Sequence, residues 1–504
     1  MAHTTLLLTL LCAALDAPAQ PPDGASSTAA ALPGTDAGVT AAPAVAVGAE
    51  DGGVSSTQSQ GFFSRLGNAY WEDWTNTLPS TPPAPYRGYP PPVSNPPFPW
   101  SYWPYGGSPT IGAPNDSWTP LMAAIYGGPG GDAWKESGVT IYGWLAGGFN
   151  LSSSRESGYA NAPAAYYSVS NSWILDQFTL YIERDPDTVQ TEHFDWGFRL
   201  ANLVGLDYRY TTMKGVFSNQ LLVDNNRIGY DPVMFYVDLY FPVLAGLNVR
   251  VGRYISVPDI EAQLAPDNYT YSHSLLYTYD AYTQLGVMVT LKLDDHWLFQ
   301  AGFSSGNDVA FWVKNAGAQP TATFCLSYTW TEGKDNVYLC ANSINTANYG
   351  YNNMNAYYAT WYHQFGDGPV HMALETWYQY QLNVPSIFVP NNPALIAGAN
   401  GAWCSGGQTK CFAPEWSIVD YLEVKVTEHD AFTYRIEYFD DIEGQRTGYK
   451  TQYFETMISW AHFFGTSIIM RPEIRYEHSF ERPAYNNGTA QDQLVTAMDF
   501  IFKY

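Results

Sequence analysis

Positive charge is scarce in this chain: 504 residues carry 23 Lys plus Arg against 47 Asp plus Glu, a formal net charge of -24. No basic stripe is available to meet phosphates, which excludes a nucleic-acid-binding surface. Charge of either sign is thin as well. Only 14% of residues are charged, against about 25% in a soluble domain, so the chain is poorly equipped to present the surface of two or three soluble domains. No apolar run of 18 residues follows the first twenty positions, which excludes a helical membrane span on length. Cysteine is rare, at five residues with no C-x-x-C spacing and no adjoining His cluster, so a structural metal centre is not expected.

Aromatics, by contrast, are abundant: 39 Tyr, 25 Phe and 17 Trp. They fall in alternating segments. In Asp492 to Tyr504, DQLVTAMDFIFKY, the residues Leu494, Met498, Phe500, Phe502 and Tyr504 share one parity and end on a terminal aromatic. An apolar stripe of period two is a strand with one oily face. Comparable segments begin near Val139, Trp173, Phe194, Pro232, Leu247, Tyr282, His296, Thr321, Asn336, Met354, Pro369, Glu415, Asp430, Gly448 and Thr466. The connections between them alternate between very short (Pro242 to Gly246, Asp294-Asp295, Gly366 to Gly368) and long (Thr211 to Asp231, Val257 to Ala281, Gln381 to Pro414). One rim of turns and one of loops is expected of a barrel inserted from one side. The fold class is therefore all-β: a transmembrane antiparallel β-barrel of roughly sixteen strands, within about 14 to 18.

Strand parity then sorts the charges. Phe194 to Tyr210 reads as one long strand, with Phe194, Trp196, Phe198, Leu200, Val204, Leu206, Tyr208 and Tyr210 on one face and Arg199, Asp207 and Arg209 on the other. Arg250, Arg435, Glu437, Arg471, Glu473, Arg475 and Glu477 likewise oppose apolar neighbours. An Arg facing lipid at mid-membrane costs about 2 to 4 kcal/mol, so these ten residues are the candidate pore lining. The long connection Val257 to Ala281 is too apolar for a solvated loop and is expected to fold into the lumen as a constriction.

The remaining segments differ in kind. Residues 1–19 read as a signal peptide, with an apolar stretch Leu6 to Leu15 and a small-x-small site at Ala17-Pro18-Ala19. Residues 20–60 lack Lys, Arg and aromatics and read as a disordered linker. Residues 61–138 hold about fifteen prolines and six tryptophans; a short helix from Gly61 to Leu78 is expected, then extended chain at the periplasmic mouth or partly plugging the lumen. Residues 139–504 form the barrel. The two local cysteine pairs, Cys325–Cys340 across a tight hairpin and Cys404–Cys411 across a Gly-rich turn, are disulfide candidates suited to an oxidising compartment.

Several long stretches carry a resemblance: GWLAGGFN (Gly143 to Asn150), LYIERDPDTVQTEHFDWGFRLANLVGLDYRYTTMKG (Leu180 to Gly215), GYDPVMFYVDLYFP (Gly229 to Pro242), VRVGRYISVPDIEAQLAPDNYTYSHSLLY (Val249 to Tyr277), FDDIEGQRTGYKT (Phe439 to Thr451) and RPEIRYEHS (Arg471 to Ser479). They resemble the outer-membrane β-barrel porins of the OmpL-like type. The resemblance implies a passive channel in a Gram-negative outer membrane and names no solute.

Catalytic readings are weaker. GFSSG (Gly302 to Gly306) satisfies G-x-S-x-G, but that elbow needs a strand-to-helix turn, and a strand here runs into a polar loop. His363, His371, His462 and His478 lie on different strands. Glu473 and Glu477 alternate with Arg471 and Arg475, which removes the raised-pKa acid that glycoside hydrolysis needs. The sequence thus predicts no enzyme, no cofactor and no metal. It predicts a porin passing small hydrophilic solutes, with outer-membrane lipid around it, an assembly machinery that reads the C-terminal strand ending at Tyr504, and a homo-oligomer such as a trimer. The rival reading is a plugged barrel, or a secreted β-rich protein, acting in binding or adhesion.

Overall fold

The structure is a computed structural model, and it describes residues 60–75, 77, 86–89, 111–115, 118–314, 317–390 and 401–504. The signal-peptide segment 1–19 and most of the linker 20–60 lie outside the described residues. Sixteen antiparallel strands close into one barrel, each paired with its sequence neighbours and β1 with β16. They are β1 (Thr140–Ser152), β2 (Trp173–Arg184), β3 (Asp195–Gly205), β4 (Gly229–Phe241), β5 (Leu247–Ile255), β6 (Thr283–Lys292), β7 (Trp297–Asn307) and β8 (Thr321–Trp330), followed by β9 (Asp335–Ile344), β10 (Asn355–Gln364), β11 (Val370–Pro385), β12 (Lys410–Lys425), β13 (Asp430–Asp441), β14 (Thr451–Phe464), β15 (Ile468–Ser479) and β16 (Asp492–Lys503). No described helix is long and apolar enough to cross a membrane.

Alternation explains the wall. Along β13, Phe432, Tyr434 and Ile436 are exposed while Ala431, Thr433, Arg435, Glu437, Phe439 and Asp441 are buried. The same division runs round the barrel, with Leu145, Phe178, Leu200, Val251, Phe324 and Ile474 in an exposed apolar belt. That belt faces lipid, and the ladder hydrogen bonds of the strands close on one another round the wall. The β4–β5, β10–β11 and β14–β15 connections are short, and those of β5–β6 and β11–β12 are long, so the two rims differ as the sequence predicts.

One strand is shorter than its pattern. β3 stops at Gly205, and Tyr208–Thr211 forms a single helical turn, α4 in chain order after three N-terminal helices. Leu206 and Tyr208 continue the apolar alternation because they pack under neighbouring loops at 0% exposure, not because they face lipid. A buried turn here imitates a strand's period.

The three N-terminal helices are α1 (Phe62–Trp74), α2 (Pro120–Tyr126) and α3 (Gly131–Ser137). α1 and α2 contact each other, and α1 also contacts the β14–β15 turn through Asp73. Arg87, in the short described stretch between α1 and α2, donates to the carbonyls of Thr188 and Ala245 in the β2–β3 and β4–β5 turns at 2.7 Å each.

Candidate functional site: the loop-crossed lumen

The connection between β5 and β6, residues 256–282, turns into the barrel. Nearly all of it is buried, although it contains only a 3-10 turn (Ala265–Asp267) and one turn of α-helix, α6 (Leu275–Thr278), which follows α5 (Asn219–Leu222) in chain order. Irregular backbone at membrane depth needs partners for its amides and carbonyls. The wall supplies them. On β15, Arg471 donates to the carbonyls of Ala265 and Asn268 at 2.8 and 2.7 Å, and Glu473 accepts from the amides of Tyr271 and Ser272 at 3.1 Å. Arg435 on β13 reaches the Ser272 carbonyl at 2.8 Å and its hydroxyl at 2.9 Å; Arg475 reaches the His273 carbonyl at 2.8 Å. Glu437 accepts from Leu275 N at 2.8 Å and also from Leu276 N, at the start of α6.

The opposite wall holds the rest of the loop. Glu375 on β11 accepts from Ile260 N at 2.8 Å, and Trp377 and Gln379 donate to the carbonyls of Leu276 and Tyr279 at 3.1 and 2.9 Å. Gln177 on β2 donates to Gln263 O at 2.8 Å and accepts from Ala265 N at 3.1 Å. The loop therefore crosses the lumen from β2 and β15 to β11. Its side chains Leu264, Leu275 and Leu276 pack with Trp144, Tyr181, Tyr254 and Trp377 of the wall in one apolar cluster.

Register sets the wall's charges in two neighbouring rows. Glu437, Glu455 and Glu477 lie directly opposite one another on β13, β14 and β15, and Arg435, Met457 and Arg475 form the next inward row. Like charges opposite each other repel. The arginines offset this: Arg435 pairs with Glu455 at 2.8 Å, and Arg475 with Glu455 at 3.1 Å and Glu477 at 2.7 Å. Arg471 grips Asp499 with two bonds of 3.0 and 2.5 Å, and Arg250 grips Asp238 at 2.9 and 2.7 Å.

On the loop itself, burial pushes Asp280 up to about 6 and Asp259 well above the usual carboxylate range. Burial likewise holds His273 well below an ordinary histidine, so it is neutral; its Nε2 lies 2.8 Å from the Ala262 carbonyl and its ring stacks on Tyr166.

Of the ten pore-lining candidates, Arg199, Arg250, Arg435, Glu437, Arg471, Glu473, Arg475 and Glu477 lie on strands with their side chains buried on the inner side. Asp207 sits just past β3, where it accepts from Gln177 at 2.9 Å. Arg209 is a correction: it belongs to α4 and bonds Asn226 O and Asn225 Oδ1 in the loop beyond, each at 2.7 Å, so no strand carries it into the pore. The wall residues that sequence reasoning missed include Gln177, Glu375, Glu455 and Asp499. The signal existed for Asp499, which alternates with Met498 and Phe500, and for Glu455 between Phe454 and Thr456.

The cysteines pair as expected. Cys325–Cys340 joins directly opposed residues of β8 and β9, and Cys404–Cys411 closes the turn before β12. Ser304 is in β7, with its hydroxyl against Thr321, and among the described residues between β7 and β8 there is no helix. His363, His462 and His478 bond Asp335, Asp430 and Asp492 at 2.7 to 2.8 Å. Among the described residues, no group of three or more His, Cys, Asp or Glu is placed to hold a metal ion.

Several solved structures are similar to the chain at low identity. The anion-selective porin of Comamonas acidovorans is 8% identical, covering 73% of this chain and 99% of its own, with a TM-score of 0.44. OprB of Pseudomonas putida, at high pH, is 11% identical over 75% and 97%, TM-score 0.45. The DcaP channel of Acinetobacter baumannii is 9% identical over 73% and 97%, TM-score 0.44. No curated protein matches the chain. The model of the family described as "Putative beta-barrel porin-2, OmpL-like" matches residues 138–504, all sixteen strands, and the chain belongs to that family as a porin of the bacterial outer membrane.

Proposed function

We propose that the inward loop sets what this porin passes, and that small hydrophilic cations are favoured over anions. The observation that carries the reading is the charge around the crossing. Residues 256–282 hold Asp259, Glu261, Asp267 and Asp280 and no Lys or Arg. The side chains that grip the loop, with their ion-pair partners, add Glu375, Glu437, Glu455, Glu473, Glu477 and Asp499 against Arg435, Arg446, Arg471 and Arg475. Rings of carboxylates select cations in channels generally. Reversal potential in a planar bilayer under a salt gradient tests this: a sign set by cation flow supports it, and anion preference overturns it.

One observation favours a second reading. Arg435, Arg475 and Glu477 have 0% exposure, so a docked loop leaves little water at this level and the resting barrel is closed there. Electrical silence with a heat-modifiable folded band would support that reading.

Residues 1–19 serve as a removable leader, 20–60 as a linker and 61–138 as a segment on the periplasmic rim, a division supported by their compositions and by the Arg87 contacts. Insertion through the assembly machinery by the strand ending at Tyr504, and assembly as a trimer, complete the proposal.

A further inference from the structure

Helix α1 joins the lipid-facing wall to the rim in a way the channel function does not use. In FFSRLGNAYWEDW, a period of 3.6 puts Phe62, Phe63, Leu66, Tyr70, Trp71 and Trp74 on one half of the helix and Ser64, Arg65, Asn68 and Glu72 on the other. Two flanks are held. The buried Asp73 carboxylate accepts from Thr466 N at 2.8 Å, Thr466 Oγ1 at 2.9 Å, Ser467 N at 3.0 Å and Ser467 Oγ at 2.6 Å, capturing the β14–β15 turn. Tyr70 donates to Lys503 O at 3.0 Å and stacks on Phe502 with ring centroids 5.1 Å apart. On the other side, Arg65 donates to Ala124 O of α2 at 2.9 Å.

The third flank is open. Phe63 is 84% exposed, Trp71 66% and Trp74 45%. Phe502, on which Tyr70 stacks, belongs to the exposed apolar belt with Phe500 and Leu145. The open aromatic flank thus continues the lipid-facing surface beyond the turn rim, where Trp and Tyr favour the interface between headgroups and acyl chains. We propose that α1 lies in the inner-leaflet interface, with Phe63, Trp71 and Trp74 in lipid, and that Asp73 ties the depth of the β14–β15 turn to it. With one Arg, one Glu and one Asp in the helix, recognition is by apolar burial and does not depend on lipid charge.

The test uses the full chain in a Cys12→Ser background, with Phe63→Cys carrying an environment-sensitive fluorophore, in nanodiscs of phosphatidylethanolamine and phosphatidylglycerol. Asn68→Cys reports the polar flank, and Phe432→Cys, on the β13 outer wall, is the standard for lipid contact. The expected result is a blue shift and a loss of intensity at position 63 with lipids brominated near the top of the acyl chain, with little quenching by aqueous iodide. Iodide quenching at 63 equal to that at 68 overturns the proposal. Shielding from both quenchers overturns it in favour of a protein contact such as a second copy. If position 432 also escapes brominated lipid, the barrel's placement in the membrane has failed, a result distinct from failure of the helix alone.

Discussion

Arg471→Ala should free the inward loop. Its guanidinium, 1% exposed, makes two different kinds of contact: a two-bond grip on Asp499 of β16 and bonds to the Ala265 and Asn268 carbonyls of the loop. Removing one partner of a buried ion pair costs about 3 to 5 kcal/mol, and that loss falls on the wall. The two loop bonds come from a charged donor, each worth about 1.5 to 3 kcal/mol, so docking weakens by about 3 to 6 kcal/mol. At about 1.4 kcal/mol per tenfold, the ratio of docked to undocked loop falls by about 10² to 10⁴. Hydrogen exchange of the peptide spanning Gln263 to Tyr271 should accelerate accordingly, and single-channel conductance should rise or become noisy. Arg250→Ala is the control, because it breaks a pair made between β4 and β5. It should lower the denaturation midpoint by a similar amount while the loop peptide exchanges at its native rate. If Arg471→Ala destabilises the barrel as Arg250→Ala does but leaves loop exchange and conductance unchanged, the loop is not held by these bonds and the reasoning fails. Arg471→Lys should fall between, since an ammonium cannot span a carboxylate and two carbonyls at once.

The loop's carboxyls give a pH dependence with a definite sign. With Asp280 raised by burial from 3.8 to about 6, the docked loop binds more protons than the free one across that window, so docking weakens as pH rises through it, by about 3 kcal/mol. Loop exchange, corrected for intrinsic rate, should be faster at pH 7.5 than at pH 4.5, and Asp280→Asn should flatten the profile; a native profile already flat would refute it. Replacing Cys325 and Cys340 together by Ala removes a cross-link spanning 15 residues, a loss of about 3 kcal/mol, but should leave conductance unchanged because Leu326 and Leu339 remain paired beside the site. A changed conductance would mean that the disulfide also supports the lumen.

The wall was legible in the sequence because a lipid-facing strand obeys a local rule. Each outward position must be apolar, so a period of two in β13 or β15 can be read without knowing any neighbour, and the strand starts at Trp173, Leu247, Thr321, Asp430 and Asp492 coincide with those expected. Where burial comes from a loop instead of lipid, the same period misleads: Leu206 and Tyr208 carried the β3 reading past Gly205, and Arg209 with it. The site was less legible for a related reason. Parity puts Glu437 and Arg471 inside, but whether they face water or grip a backbone depends on a loop more than 150 residues away in sequence, and no local pattern encodes that partner. Only the composition of residues 256–282 hinted at it, since a long connection with Leu264, Leu275, Leu276 and five tyrosines among Pro and Asp has too much apolar surface to remain in water. Those side chains require an interior, and in a barrel whose outer face already belongs to lipid the lumen is the interior that is left. The same constraint explains the arginines: once the loop enters, its carbonyls need donors that a strand wall has already used in its own ladder, and long guanidinium side chains on inward positions supply them without disturbing the register.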